Sequence, residues 1–170
     1  MWSVLLRHGE PFQRSDLAGL PEARFSPYTA VVEKALPKGC RLITLPVRGD
    51  ERGSLIALER STGVPFGIER VYFIFDTQTG VARGFHAHRQ LRQLVATMAG
   101  GCTMILDDGE RRTELRLDRR DIAVEIGPMV WHEMHDFSPD CVMTVLAEAP
   151  YDEADYIRDY SEFSDLARRG

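Results

Sequence analysis

From residue 40 to residue 147 the chain is a succession of short β-prone runs separated by turn residues, and this pattern constrains the fold most strongly. About nine or ten such runs, with no helical pattern between them, predict an all-β sandwich or jelly-roll barrel. We expect Gly100-Gly101 to form a hairpin turn. The predicted strands are 40–47, 54–59, 70–76, 84–88, 93–98, 102–106, 113–117, 123–126, 130–134 and 141–147.

The two ends of the chain differ from this central part. Residues 1–38 contain four prolines and predict an irregular N-terminal arm, with one helical turn possible within 15–23. Residues 39–150 then form the predicted barrel. The segment 151–170 predicts a C-terminal helix, capped by Asp152 or Asp155, that packs on the barrel or on a partner subunit. The residues with helical spacing are Tyr156, Tyr160, Phe163 and Ala167.

Composition excludes some classes of function. The net charge of -5 argues against general binding of nucleic acid or acidic membranes, because both need a positive field. Clustered arginines would still allow an anionic small molecule. The three cysteines show no short spacing and are expected to be buried free thiols. With no signal-peptide pattern and no run near the ~20 apolar residues that span a bilayer, we expect a cytoplasmic protein.

The most specific chemical pattern lies in residues 80–100, where glycines frame a His-x-His pair followed by a glutamine. His86 and His88 are two residues apart, so on a strand they face the same side and place two imidazoles in one cavity. The spacing resembles a cupin metal-binding motif, with Gln93 in place of the usual carboxylate. Whether His132 completes the same site is left open, because its spacing from the preceding proline is one residue shorter than usual.

Two kinds of chemistry fit this pattern. A metal could be held by His86, His88, Gln93 and His132, but glutamine is a neutral and weaker ligand for transition metals. Metal-free acid–base chemistry fits better, because imidazole can take and return a proton near neutral pH, as proton transfer next to a carbonyl requires. A purely structural role is least favoured, since buried polar groups are costly unless they are used or paired.

Several further residues are candidates for a binding pocket. Arg52, Arg70 and Arg83 are candidates for a phosphate clamp, since guanidinium binds phosphate in a bidentate manner. Arg70 and Tyr72 share a strand face, and the Tyr72 hydroxyl could donate to a substrate oxygen.

On the predicted strand 130–134 and just beyond it, alternation places Trp131, Glu133 and His135 on one face and His132 on the other. Trp131 is a candidate for stacking on a flat ring, or for filling the barrel.

Six longer runs resemble the dTDP-4-keto-6-deoxyglucose 3,4-ketoisomerases, in the same order and over about residues 40–164. A match of this length is far more specific than the His-x-His pair alone. The runs are RGSL (52–55), RVYFIFD (70–76), RGFHAH (83–88), ILDDG (105–109), GPMVWHEMHDF (127–137) and YDEADYIR (151–158).

This resemblance implies a cupin jelly roll that works without a metal or other cofactor, commonly as a homodimer with exchanged N-terminal strands. It implies a dTDP-sugar substrate, converted to a 3-keto sugar for the biosynthesis of 3-amino-3,6-dideoxy sugars. His86 and His88 would transfer the protons through an enediol, with Tyr72 stabilising the oxyanion. The substrate pocket would include Arg52, Arg70, Arg83, Gln93 and Trp131. Residues 1–38 depart from the family pattern.

Three alternatives remain open at this point. The chain could be a metal-dependent, oxygenase-like cupin, a sugar-nucleotide 3,5-epimerase, or a non-catalytic module that binds a nucleotide sugar. The configuration at C4 of the product, the nucleobase and the identity of the histidine that acts as the C3 base are also left open.

Overall fold

The computed structural model describes residues 35–169. The predictions for the N-terminal arm, including the helical turn within 15–23, concern residues that lie almost entirely outside this range. Within the described part, twelve strands are present. They are β1 Cys40–Thr44, β2 Val47–Asp50, β3 Gly53–Ile56, β4 Arg70–Ile74, β5 Arg83–His88, β6 Gln93–Ala99, β7 Cys102–Asp107, β8 Arg112–Leu117, β9 Ile122–Ile126, β10 Trp131–His135, β11 Val142–Ala147 and β12 Tyr156–Ile157.

The strands form two five-stranded antiparallel sheets and one separate hairpin. The first sheet has the order β1-β9-β6-β11-β4, and the second has the order β12-β5-β10-β7-β8. Strands β2 and β3 pair only with each other within the described residues. From β4 to β12 the chain crosses between the two sheets at every connection except that from β7 to β8, as in a jelly roll. The prediction of an all-β jelly-roll barrel is therefore confirmed.

The main core lies between the two sheets. Val95, Val124 and Val145 of the first sheet meet Met104 and Leu106 of the second, and all five are buried. These positions alternate along their strands with outward-facing residues, as expected for two packed sheets. The free thiols of Cys102 and Cys141 belong to the same core, while that of Cys40 is half-buried at its edge.

The expected hairpin at Gly100-Gly101 is wrong. Strand β6 belongs to the first sheet and β7 to the second, so this pair of glycines carries the chain from one sheet to the other. Gly100 has a φ of 55°, and a Cβ there would lie 2.1 Å from Oγ of Ser138. Glycine is thus required by a close approach at a corner of the barrel, which local turn signals do not distinguish from a hairpin.

The C-terminal helix begins later than predicted. Helix α1 spans Tyr160–Ala167, and Asp159 caps it by accepting a hydrogen bond from N of Glu162. Asp152 instead caps a single 3-10 turn, and Tyr156 lies in β12. The helix packs on the outside of the second sheet. No helix in residues 35–169 is long and apolar enough to cross a membrane.

Candidate active site

A cavity of about 390 Å³ lies between the two sheets. Its floor is apolar, and its remaining wall carries aromatic, cationic and amide side chains. The apolar lining is Ile74, Val95, Met104, Met134, Met143 and Val145. The polar and aromatic lining is Arg70, Tyr72, Arg83, His86, Gln93, His132, Tyr151, Tyr156 and Arg158.

Three histidines form a cluster at this cavity. His86 of β5 pairs in register with His132 of β10, and their ring centroids are 4.3 Å apart. His88 lies on the same side of β5, with its ring centroid 5.0 Å from that of His86. The pairing of β10 with β5 shifts register between His132 and Glu133. The structure therefore brings His132 into the site, which the sequence left open.

The hydrogen bonds of the three rings determine which nitrogen carries the proton. Nδ1 of His86 faces O of Gly84 at 3.0 Å, and Nδ1 of His132 faces O of Val130 at 3.2 Å. Nδ1 of His88 lies 2.9 Å from Oδ2 of Asp155. Because each of these oxygens can only accept, each Nδ1 donates, and in the neutral ring each Nε2 keeps its lone pair. All three histidines can thus act as bases through Nε2.

Burial keeps the cluster neutral. Desolvation lowers the pKa of His86, and it lowers the pKa of His88 to about 4 despite the opposing effect of Asp155. The pKa of His132 also lies well below its ordinary value, because this ring is fully buried. Burial raises the pKa of Tyr72 to about 12, so its hydroxyl keeps the proton and serves as a donor.

The same three rings also have the geometry of a metal site. One ring nitrogen from each of His86, His88 and His132 lies within 4.8 Å of the others. Each Nδ1 already donates to an oxygen, which is the usual support for a metal-binding imidazole. Gln93, the fourth position of the cupin motif, accepts a hydrogen bond from the Tyr72 hydroxyl at 3.3 Å. The three imidazoles therefore suit a divalent transition metal as well as acid–base chemistry.

Three guanidinium groups border the cavity and make it suitable for an anion. Cζ of Arg70 lies 5.2 Å from the Tyr72 ring centroid, and its buried Nε has no hydrogen-bond partner among the described residues. Arg83 also lines the cavity. Arg158 lies 4.3 Å from the ring centroid of Tyr156 and pairs with a neighbouring glutamate. No carboxylate lines the cavity within the described residues.

Most of the predicted site residues lie together at this cavity. His86, Arg70, Tyr72, Arg83 and Gln93 all line it. The other three predicted residues, His88, Trp131 and Arg52, do not line the cavity.

His88 is only 2% exposed and does not line the cavity, but its ring contacts that of His86, which does. Trp131 is buried on the opposite face of β10, where its ring packs on Phe163 and its Nε1 donates to Glu133 at 3.0 Å. Arg52 lies at the exposed tip of the β2–β3 hairpin, and its Nε donates to Asp50 at 3.0 Å. The structure of one chain thus places Trp131 and Arg52 outside the cavity lining.

Sequence reasoning missed three lining residues from the C-terminal segment. Tyr151, Tyr156 and Arg158 follow the last strand of the first sheet and return to the cavity mouth. The run 151–158 resembles the family, but the helical spacing from Tyr156 onward predicts that a helix starts within it. The signal for its true position is the Asp159-x-x-Glu162 capping pattern, which delays the helix start until Tyr160.

The fold and the cavity define a cupin-type barrel with a histidine-centred site. The family model described as "FdtA: WxcM-like, C-terminal" matches residues 38–168, and this chain belongs to that family. A TDP-4-oxo-6-deoxy-alpha-D-glucose-3,4-oxoisomerase from Aneurinibacillus thermoaerophilus is 54% identical over 114 residues. The match covers 67% of this chain and 82% of that protein.

Solved structures give the same family. WlaRB, a TDP-quinovose 3,4-ketoisomerase from Campylobacter jejuni, has 46% identity and a TM-score of 0.73, over 76% of this chain and 99% of that chain. QdtA, a sugar 3,4-ketoisomerase from Thermoanaerobacterium thermosaccharolyticum in complex with TDP, has 35% identity and a TM-score of 0.75. That match covers 78% of this chain and 96% of QdtA. The family resemblance inferred from the sequence is confirmed.

Proposed function

We propose that this chain is a sugar-nucleotide 3,4-ketoisomerase that converts dTDP-4-keto-6-deoxyglucose to a dTDP-3-keto-6-deoxyhexose. The observation that carries the proposal is the position of His86, whose unprotonated Nε2 belongs to a cavity that also holds Tyr72 and the arginines. The relatives support this substrate. QdtA was solved with TDP, and its histidine-to-asparagine variant was solved with TDP-4-keto-6-deoxyglucose.

The chemistry requires a base next to an acidic carbon. The 4-keto group acidifies the proton on C3, and His86 takes that proton at Nε2, giving an enediolate. Reprotonation at C4, with transfer of the hydroxyl proton from the C3 oxygen to the C4 oxygen, leaves the ketone at C3. No electrons leave the sugar, since the step exchanges the positions of a carbonyl and an alcohol. We assign the C3 base to His86 because His88 does not line the cavity.

Two other groups assist this step. The Tyr72 hydroxyl, which keeps its proton because its pKa is raised to about 12, donates to the developing oxyanion. Arg70 and Arg83 bind the diphosphate at the mouth of the cavity, and this binding energy positions the sugar against His86. Arg158 lies at the same mouth and extends the cationic surface.

Incubation with dTDP-4-keto-6-deoxyglucose in deuterated water tests the function. NMR should show a 3-keto product with deuterium at C4 and none at C5. Label at C5 would indicate a 3,5-epimerase, and unchanged substrate would indicate a binding module. Elemental analysis and assay with a chelator test the metal-dependent alternative. Coupling the reaction to a 3-aminotransferase and identifying the amino sugar gives the configuration at C4.

We also propose that the active form is a homodimer in which the β2–β3 hairpin reaches the partner's site. Arg52 lies at the tip of that hairpin, and its side chain is 80% exposed in the described part of the chain. The outer face of β4 exposes Val71 and Phe73, and Leu55 of β3 is 58% exposed. Large apolar side chains of this kind support a protein–protein interface.

Substitutions made in QdtA fall at positions whose spacing matches that of Arg52 and His132. A double variant of QdtA replaces a tyrosine by arginine and an arginine by histidine, and a single variant replaces a histidine by asparagine. In QdtA the tyrosine lies 34 positions before that histidine and the arginine 46 positions after it. Arg52 and His132 lie at the same distances from His86. Both positions here thus carry the residue types that the double variant introduces.

Mixed dimers test the exchange of Arg52. We predict that Arg52→Ala and His86→Asn chains are each impaired alone, and that dimers mixed after dissociation recover about a quarter of normal turnover per chain, because half the dimers then contain one complete site. The matched control mixes Tyr72→Phe with His86→Asn. These two residues line the same cavity of one chain, so no complete site can form. Equal recovery in both mixtures, or a monomer by sedimentation, would contradict the exchange.

A further inference from the structure

The segment that follows the jelly roll holds the histidine strand in place. Strand β12 pairs antiparallel with β5, so that Tyr156 lies opposite His88 and Ile157 opposite Ala87. One residue earlier, O of Asp155 accepts a hydrogen bond of 2.9 Å from N of Arg89. The backbone of Asp155 is therefore fixed beside the second histidine of the His-x-His pair.

The Asp155 carboxylate accepts three hydrogen bonds from this strand and the turn after it. Oδ1 accepts from N of Gln90 at 2.8 Å, and Oδ2 accepts from N of Leu91 at 3.3 Å. Oδ2 also accepts from Nδ1 of His88 at 2.9 Å. Both oxygens face backbone N–H groups, so the orientation of the carboxylate is determined before the histidine is considered.

We propose that Asp155 is a positioning residue for catalysis, which holds the proton of His88 on Nδ1 so that Nε2 of His88 is an acceptor beside His86. The inference rests on the proposed function. His88 is 2% exposed and its Nε2 has no hydrogen-bond partner within the described residues, so nothing else there selects its tautomer. The rings of His86 and His88 meet edge to face, with an interplanar angle of 89°.

The tautomer of His88 matters because this ring lies next to His86, the proposed base. With the proton on Nδ1, His88 presents a lone pair to the cluster, and His86 is free to take the C3 proton and become an imidazolium beside an acceptor. With the proton on Nε2, His88 would present an N–H to the same cluster. That N–H would compete for the lone pair of His86 and would repel the imidazolium after proton transfer.

Replacing Asp155 by asparagine should reverse the tautomer without changing the shape of the side chain. We expect the amide oxygen to face N–H of Gln90, whose bond to the carboxylate is 2.8 Å, and the NH₂ to lie on the side of Leu91, where the backbone bond is the longer at 3.3 Å. The amide NH₂ then takes the place of Oδ2 and donates to Nδ1 of His88. The ring can accept this bond only if its own proton moves to Nε2.

The test compares Asp155→Asn with Asp152→Asn, a neighbouring carboxylate that caps the 3-10 turn and touches no histidine. We expect Asp155→Asn to lower kcat about 10- to 100-fold with a nearly unchanged KM. The ¹⁵N NMR spectrum should show the His88 proton moving from Nδ1 to Nε2. Asp152→Asn should change neither quantity.

Two results would overturn the proposal. One is a His88 proton on Nε2 in the unmodified protein, which needs no variant and no turnover to observe. The other is a folded Asp155→Asn protein that has the reversed tautomer and an unchanged kcat. Failure of the proposed function is a separate outcome, since it would appear as no 3-keto product from the unmodified protein while the His88 tautomer is still measured.

Discussion

At the scale of residues, the site combines groups that alternation predicts with groups that it does not. Arg70 and Tyr72 share a strand face and both line the cavity, as the period of two predicts. The same rule placed Trp131 opposite His132, and the structure has Trp131 beneath the helix. To contact the substrate, as expected, Trp131 would have to lie on the other face of β10. Alternation thus identified which side chains share a face, but not which face forms the cavity.

Substitutions of the two histidines should separate chemistry from binding. We predict that His86→Asn removes nearly all turnover, on the order of 10²–10⁴-fold, because it deletes the base at the cavity, and His88→Asn should also be strongly impaired. TDP binding, measured by calorimetry, should remain close to normal in both, since the arginines are untouched. Near-normal isomerisation by both variants would contradict the mechanism.

At the scale of elements, helix α1 and the edge strand β12 of the second sheet support the site. Phe163 is fully buried between the helix and the second sheet, together with Trp131 and Ile157. This small core lies apart from the one between the sheets, and it holds the segment that carries Asp155 and Arg158. Helix α1 is therefore part of the site's architecture, although the C-terminal residues that line the cavity, Tyr151, Tyr156 and Arg158, all precede it.

The contribution of this small core can be measured directly. We predict that Phe163→Ala lowers the free energy of unfolding by about 3–5 kcal/mol, because a fully buried aromatic ring leaves a cavity. Tyr160→Phe is the control. This substitution removes only the hydrogen bond that the Tyr160 hydroxyl donates to Asp107, and it should lower the free energy of unfolding by about 1 kcal/mol. Urea unfolding measures both, and equal effects of the two substitutions would contradict this role for Phe163.

At the scale of the whole molecule, the buried His88 and His132 and the half-buried His86 make stability depend on pH. Their pKa values are lowered in the folded state, that of His88 to about 4, while the unfolded chain takes up protons near pH 6.5. The unfolded state therefore binds more protons below pH 6.5, and stability falls as the pH is lowered. Each unit of pKa difference contributes ~1.4 kcal/mol.

We predict that the urea midpoint falls between about pH 6.5 and pH 4.5, before carboxylates contribute. Several carboxylates, including Glu133, have lowered pKa values, so their stabilising contribution is lost at still lower pH. His88→Asn should reduce the slope within this window. A midpoint that stays constant from pH 7 to pH 4.5 would show that the histidines are not buried in their neutral form.

Local patterns are enough to predict the all-β class, every strand except β2 and β12 to within a few residues, and the shared face of His86 and His88. The family resemblance added the expected chemistry. Only the folded chain shows that Gly100-Gly101 connects the two sheets, that His132 joins the cluster and that Asp155 contacts His88. Each of these depends on which strands pair and on which face is enclosed. Such pairings join residues far apart in the chain, and local periodicity carries no information about them.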